Sequence, residues 1–392
     1  MRPQRLPALD ALRGIAALVV VVHHCVRVDP AFARGFDLPG EPLSGVARVV
    51  LRTPLHLLVA GPEAVFVFFV LSGFVLGRPW LAGYAPALRD YYPRRLLRLL
   101  PPVWGALLLA AALYLLVPAA TVGGSAWVRG LQGLPPARAV LVGDVPLLGV
   151  VTTLDPPLWS LHYEMLFLLL LPGLGACLPA VRRLAGPLAA GCLLVIWFGR
   201  TAELGTLTYL PMLALGVALA AREARVPARP GGVRALLLAA AGLLLLSAGW
   251  GWWPAPVGTI WWDGASVAAQ AAGAGCLVVT ACSLRADPRW LQWLGRRSYS
   301  LYLVHVPLLL AAQRLAPTGN AAVSLLTVLP LSLLVAAGFH RAVEAPTAAL
   351  ARRWRRAVPV AVAVPAPRRP EPEEVGRRRP GWGAPDAVSR ER

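Results

Sequence analysis

Residues 12–28 read LRGIAALVVVVHHCVRV, an apolar run of the length that a helix needs to cross a bilayer. Nine further apolar runs follow, separated by clusters of Arg, Pro and Gly: 61–80, 99–118, 157–180, 185–199, 204–221, 234–250, 264–283, 298–315 and 320–340. This pattern predicts an all-α polytopic integral membrane protein with about ten transmembrane helices.

The composition excludes several other classes of protein. Hydrophobic residues make up 57% of the 392 residues, charged residues make up 15%, and the mean hydropathy is +0.62. So little polar surface excludes a soluble globular enzyme, and so much apolar surface excludes a disordered chain. The five cysteines form no CxxC pair, which gives neither a disulfide framework nor a ligand spacing for a metal ion.

Charge indicates how the chain sits in the membrane. The net charge is +19, and all 38 basic residues are arginine. An even number of helices places both termini on the same side of the membrane. If that side is the cytoplasm, most of the arginines are cytoplasmic, so we expect an N-in, C-in protein of the plasma membrane. Because the arginines flank apolar spans, we expect them to contact membrane lipid and no nucleic acid. Arg13, His23 and His24 interrupt the hydrophobic region of a possible signal peptide, so the first span is expected to be retained.

The chain divides into two regions by composition. Residues 1–346 contain all the apolar runs and are predicted to form the membrane domain. Residues 347–392 are predicted to be a basic cytoplasmic tail rich in Pro, Arg and Glu, disordered beyond about residue 357 because few large apolar residues remain to be buried. No internal repeat is visible, which argues against an inverted-repeat transporter.

Ionisable side chains inside the spans are the candidates for chemistry, because each costs at least about 2 kcal/mol at membrane depth. Arg13 and His24 are eleven residues apart, so on a helix they share one face about 16 Å apart. An imidazole with an ordinary pKa can serve as a general base for a hydroxyl group. The alternative is a histidine satisfied by a backbone carbonyl.

A second cluster opens the fourth span. Asp155 precedes two prolines and is a plausible N-cap, and Ser160 and Glu164 then share one face of the helix. A carboxylate this deep needs a cation or a function, so we expect Glu164 to face the bundle near His24. The alternative is a structural ion pair between helices.

A third cluster lies between the second and third spans. Arg95 and Arg98 are three residues apart and share a helix face, which makes a fork suited to phosphate groups. The alternative is topological anchoring. Later spans add His305 and, near the inner surface, a charged end that includes Glu344.

Taken together, these segments resemble the membrane acyltransferase-3 family over residues 6–346. Its motifs occur here in order, namely Leu9-Asp10-Ala11-Leu12-Arg13-Gly14 leading to His24, Phe68 to Leu76, Arg95-x-x-Arg98, Leu158-Trp159-Ser160 with Glu164, Tyr299 to His305, and Glu344-Ala345-Pro346. His162 and Tyr163 depart from the small or aliphatic residues that the family more often has there, so we expect acceptor contacts at this point to differ from those of the family.

The resemblance implies transfer of an acyl group, often acetyl, from cytoplasmic acyl-CoA to a hydroxyl group of a carbohydrate-containing acceptor, with no bound cofactor. The acceptor could be a glycan, a glycolipid or a glycosylated small molecule of the cell envelope or medium. By matched position, the resemblance implies catalytic roles for His24, Glu164 and Arg13. It implies donor contacts for Arg95, Arg98, Ser72, Gly73 and Phe74, and its further candidates are Asp10, Trp159, Ser160, Tyr299, His305 and Glu344.

Two mechanisms are compatible with these residues: direct transfer with His24 as base, and a transient acyl-enzyme. A different class of function, a proton-coupled transporter or flippase for a lipid or glycan, would also explain buried His24, Glu164 and His305. It would not explain the arginine fork or the motif order.

Overall fold

The computed structural model describes residues 6–38, 42–83, 87–118, 123–149, 153–175, 177–225, 232–250, 259–284 and 288–354. Within those ranges the regular secondary structure is helical, and no strand is present. The region beyond residue 357, for which disorder is predicted, lies outside the described residues.

A long helix occupies each of the ten predicted apolar runs. These helices are α1 (Pro7–Arg27), α2 (Gly61–Leu81), α3 (Leu88–Leu116), α4 (Leu158–Gly175), α5 (Ala185–Thr201), α6 (Gly205–Arg225), α7 (Gly232–Leu246), α8 (Ile260–Ser283), α9 (Arg289–Leu315) and α10 (Ala321–Phe339). The connections contain short helices at Pro30–Asp37, Gly45–Leu51, Ala126–Gly130, Ala137–Ala139 and Leu178–Arg183, a 3-10 helix at Pro54–Val59 and a π-helical turn at Val140–Asp144. After α10, a π-helical turn at His340–Glu344 leads into a short helix at Ala345–Arg353.

The helices have the lengths and apolar surfaces of a membrane protein. Six are long and apolar enough to cross a bilayer: α1, α2, α3, α6, α8, and α10 with its continuation to Arg353. Three shorter apolar helices are α4, α5 and α7. The tenth, α9, has polar side chains along its run and is the core of the bundle, since every residue from Ser300 to Ala311 is buried. The prediction of an all-α polytopic membrane protein is confirmed.

Two details of the sequence prediction change. Helices α3 and α9 begin at Leu88 and Arg289, well before the apolar runs that start at 99 and 298, because helical hydrogen bonding continues through the arginine-rich turns that precede each run.

The predicted cap by Asp155 is wrong: neither side-chain oxygen of Asp155 has a hydrogen-bond partner among the described residues. Burial and the nearby Asp144 raise the pKa of Asp155 well above its ordinary value, which favours a neutral carboxyl group.

Close packing of α1 against α9 sets the position of the functional residues. A Cβ atom on Gly14 would lie 2.8 Å from the backbone nitrogen of Gly295, and one on Gly295 would collide with the carbonyl oxygen of Asp10. Glycines therefore let the two backbones meet, as small residues do between membrane helices. The two helices run parallel with a nearly constant offset in sequence. Arg13 contacts Gly295, 282 residues later, and His24 contacts His305, 281 residues later.

Glycines also join α2 to α6. A Cβ atom on Gly73 would collide with the carbonyl oxygen of Leu213, and one on Gly216 with that of Val70. Helix α1 contacts both α2 and α9, and α6 covers another face of α2. The order α6, α2, α1, α9 is therefore a row of closely packed helices around which the others are arranged.

We expect Gly295→Ala to lower the melting temperature of the detergent-purified protein, because overpacking typically costs about 1–3 kcal/mol. Gly338→Ala on α10 is the matched control, since nothing lies within 4 Å of the added methyl group. Equal melting temperatures for the two variants, measured by differential scanning fluorimetry, would contradict the close contact between α1 and α9.

Candidate active site

A cavity of about 770 Å³ lies at the end of the bundle where α1 and α9 begin. Its walls come from α1, α2, α3, α4, α9 and the segment that follows α10. Besides two tyrosines, its ionisable residues are six arginines, three carboxylates and a histidine: Arg13, Arg78, Arg95, Arg98, Arg296, Arg352, Asp10, Glu164, Glu344 and His340. Because arginines outnumber carboxylates, the cavity suits an anionic ligand such as a phosphate.

The predicted donor residues separate into two groups. Ser72, Arg95 and Arg98 line the cavity, so the i,i+3 spacing does bring both guanidinium groups to one wall. Gly73 and Phe74 are not among its lining residues. Gly73 contacts the backbone of α6, and Phe74 is completely buried, so these two residues hold α2 in place.

Arg13 and Glu164 meet in this cavity. Arg13 Nη2 donates a hydrogen bond of 2.8 Å to the carbonyl oxygen of Gly295 and lies 3.8 Å from the carboxylate of Asp10. Glu164 is hydrogen-bonded to Ser72 and lies in the field of Arg13, Arg95 and Arg98. The structure thus places Glu164 among the arginines of the cavity and gives His24 a different neighbour.

That neighbour is His305. His24 Nδ1 and His305 Nε2 are 3.0 Å apart. His305 Nδ1 contacts only carbonyl oxygens, those of Tyr302 at 2.7 Å and Leu301 at 3.2 Å, so it must carry a hydrogen. In a neutral His305, Nε2 is then the acceptor and His24 Nδ1 is the donor. This leaves His24 Nε2 without a hydrogen, as a general base requires.

The environment of His24 differs from that of His23. The ring of Trp127 stacks on His24 with centroids 5.2 Å apart and planes at 16°, which restrains the imidazole. His23 Nδ1 is 2.8 Å from the carbonyl oxygen of Val59, and its ring packs on Gly61. His23 therefore ties α1 to the segment before α2, whereas the ring of His24 lies against Trp127 and His305.

The inner end of the cavity is formed by Ser160 and Tyr302. Their hydroxyl oxygens are 2.8 Å apart, and the Tyr302 hydroxyl also donates to the carbonyl oxygen of Pro157 at 3.0 Å. Tyr302 lies one helical turn before His305 on α9. Trp159, a further predicted residue, does not line the cavity and packs instead in an aromatic cluster with Phe69, Tyr163 and Tyr209.

The segment after α10 places one predicted residue, Glu344, beside His340, which sequence reasoning did not select. His340 Nδ1 is 2.9 Å from Glu344 Oε2, which also accepts a 2.5 Å hydrogen bond from Ser300. The π-helical turn at His340–Glu344 brings both side chains toward the cavity, and such turns are frequent at functional sites. For His340 the signal in the sequence was its i,i+4 spacing from Glu344, and that spacing resembles an ordinary surface pair.

The remaining candidates, Asp10 and Tyr299, also line the cavity, and Tyr299 donates a 2.8 Å hydrogen bond to the carbonyl oxygen of Leu99 on α3. In the described part of the chain, no three His, Cys, Asp or Glu side chains converge in a way that could hold a metal ion.

An arginine-rich cavity lies at the start of α1, and the His24–His305 pair lies about three helical turns further along this helix. The acyltransferase domain family matches residues 6–341, which is most of the chain. The chain belongs to the membrane acyltransferase-3 family. The matched range includes His24, His305 and the cavity walls formed by α1 to α4 and α9.

Two curated proteins are similar to parts of this chain. Acyltransferase MdmB of Streptomyces mycarofaciens is 31% identical over 172 residues, which cover 44% of this chain and 39% of MdmB. O-acetyltransferase PaAT-1 of Phomopsis amygdali is 41% identical over 69 residues, which cover 17% of this chain and 13% of PaAT-1. The chain thus spans less than half the length of either relative. No solved structure matches it significantly.

The hydrogen bond between the two histidines can be tested by NMR of protein labelled with 15N-histidine. We expect hydrogens on Nδ1 of both His24 and His305, and a coupling between His24 Nδ1 and His305 Nε2 that disappears in His305→Gln. His162→Gln is the control, because His162 Nδ1 bonds only to the carbonyl oxygen of Leu147. A hydrogen on Nε2 of neutral His305 would contradict the assignment.

Proposed function

We propose that this protein is an O-acyltransferase that moves an acyl group from cytoplasmic acyl-CoA to a hydroxyl group of a carbohydrate-containing acceptor, and that this acyl group is acetyl. The observation that carries the proposal is the basic cavity whose inner end lies one helical turn from the His24–His305 pair. The names of the two relatives, an acyltransferase and an O-acetyltransferase, support acyl transfer and an acetyl group.

The donor would bind with its phosphates against Arg95 and Arg98. Both guanidinium groups line the same wall, and two phosphate groups can accept hydrogen bonds from both at once. Arg13 is already bonded to Gly295 and faces Asp10, so we assign it a positioning role between α1, α9 and the donor. The arm that bears the thioester then extends along α1 and α9 toward His24.

The chemistry follows from the unprotonated Nε2 atom of His24. The acceptor hydroxyl gives its proton to this nitrogen as the hydroxyl oxygen attacks the thioester carbonyl carbon. The carbon–sulfur bond breaks, the CoA thiolate leaves, and it takes the proton back from His24. His305 accepts a hydrogen bond from His24 Nδ1 throughout and stabilises the imidazolium that forms in between, as the third member of a hydrolytic triad does.

With both termini in the cytoplasm, the cavity faces the cytoplasm, where acyl-CoA is made, and His24 lies toward the opposite surface of the plasma membrane. The excess of arginine on the cytoplasmic side supports this orientation. A transporter or flippase would also tolerate buried histidines, but the family match and the arginines of the cavity favour acyl transfer.

Donor binding is testable without knowing the acceptor. We expect Arg98→Ala to weaken equilibrium binding of radiolabelled acetyl-CoA to the purified protein about tenfold, because a hydrogen bond between charged groups is lost. Arg94→Ala is the matched control, since Arg94 is on the same helix but does not line the cavity. Unchanged binding in Arg98→Ala would contradict the phosphate site.

The role of His24 is testable in cells. We expect His24→Ala to reduce acylation about 10²- to 10⁴-fold, the usual effect of removing a general base. Mass spectrometry would compare glycans, lipids and secreted metabolites of cells that express the wild type or the variant at matched membrane levels. Loss of one acyl group from one species identifies the acceptor. Identical profiles in a host that accumulates an acylated product with the wild type would contradict the assignment.

A further inference from the structure

We infer that Ser160 and Tyr302 form the passage through which the acyl group travels from the cavity to His24, and that this passage restricts transfer to short acyl chains. The inference rests on the proposed function, since it concerns the same donor. It assigns a task to Tyr302 and to Ser160 that neither the family motifs nor the relatives assign.

The position of the cavity creates the need for a passage. Its lining on α9 runs from Arg296 to Tyr302, and its lining on α1 ends at Arg13. His305 follows Tyr302 by one turn, about 4.5 Å along the helix axis, and His24 lies against His305. The thioester of a donor whose phosphates bind the arginines must therefore pass the level of Tyr302. Only then can an acceptor activated by His24 attack it.

Two hydroxyl groups and one carbonyl group occupy that level. Ser160 and Tyr302 are both only 6% exposed, and their hydroxyl oxygens are 2.8 Å apart. Both also contact the carbonyl oxygen of Pro157, Tyr302 at 3.0 Å and Ser160 at 3.3 Å. The pair joins α4 to α9 across the inner end of the cavity. It can open without leaving a hydroxyl group unsatisfied, because the Tyr302 hydroxyl can donate to the thioester carbonyl of an entering donor.

The surroundings of the pair limit how far the passage can widen. Phe68 contacts the ring of Tyr302 with centroids 5.9 Å apart, and Phe69 packs against Trp159 at 6.0 Å and Tyr209 at 5.7 Å. Packed aromatic rings do not yield easily, since adding volume to a filled core displaces several side chains at once. Either acyl group requires the two hydroxyl groups to part. When its carbonyl group stands at this level, an acetyl group places one methyl group beyond the pair, whereas a six-carbon group places five carbons there and requires the packed wall to move.

Alkylation of His24 by reactive donor analogues measures the passage directly. In bromoacetyl-CoA and 2-bromohexanoyl-CoA, His24 Nε2 attacks the carbon that bears bromine, a carbon–nitrogen bond forms and bromide leaves. The rate at His24 would be followed by peptide mass spectrometry of the full-length protein in detergent. This readout needs no acceptor.

All rates compared here are divided by the rate at which free imidazole displaces bromide from the same probe, because a secondary bromide reacts more slowly than a primary one whatever the passage. In the wild type, we expect this normalised rate at His24 to be at least tenfold higher for bromoacetyl-CoA than for 2-bromohexanoyl-CoA. Ser160→Gly should bring the two rates within about twofold of each other, because it removes the side chain opposite Tyr302. Tyr302→Phe keeps the ring and removes the hydroxyl group, so both probes should react faster. Ser298→Ala is the matched control, since Ser298 lines the cavity below this level and should leave the ratio of rates unchanged.

Acetyl-CoA binding and elution on gel filtration would establish that each variant is folded. Equal rates for the two probes in the wild type, or an unchanged ratio in Ser160→Gly, would overturn the inference. So would acetyl-CoA binding without labelling of His24 in any variant. If the folded wild type neither binds acetyl-CoA nor is labelled, the proposed function itself is contradicted.

Discussion

The contact between the backbones of α1 and α9 is the constraint on which the rest of the site depends. Glycine at positions 14 and 295 lets the helices approach until only backbone atoms separate them. From that contact both helices continue in parallel with an offset of about 281 residues, so ten residues further along His24 meets His305. A side chain at either glycine would move the helices apart and separate the histidines.

Burial gives each polar group of the site a restricted set of partners. The carbonyl oxygens of Leu301 and Tyr302 fix the hydrogen of His305 on Nδ1, and that in turn determines which nitrogen of His24 is bare. The arginines are not restricted in this way, because they line an open cavity in which their guanidinium groups keep access to water or to a ligand. His24 and the arginines of the cavity thus lie on opposite sides of the level of Ser160 and Tyr302.

Helical periodicity predicted the local part of this arrangement. The positions of the ten helices followed from apolar runs, and the shared wall of Arg95 and Arg98 followed from their three-residue spacing. The pairing of His24 with His305 could not be predicted from spacing, because it depends on contact between helices 281 residues apart in sequence. For the same reason, sequence could not show that Glu164 lies among the arginines or that Gly73 contacts α6.

The central claim is one continuous path from the arginine cavity, past Ser160 and Tyr302, to His24. Cryo-electron microscopy of the protein with a ketone analogue of acetyl-CoA, in which methylene replaces the thioester sulfur, tests it most directly. The account predicts phosphates on Arg95 and Arg98 and the ketone carbon about 5–6 Å from His24 Nε2, which leaves room for one acceptor hydroxyl group between the two atoms. An analogue bound outside the cavity, or with its ketone at the mouth beside Arg352, would contradict it.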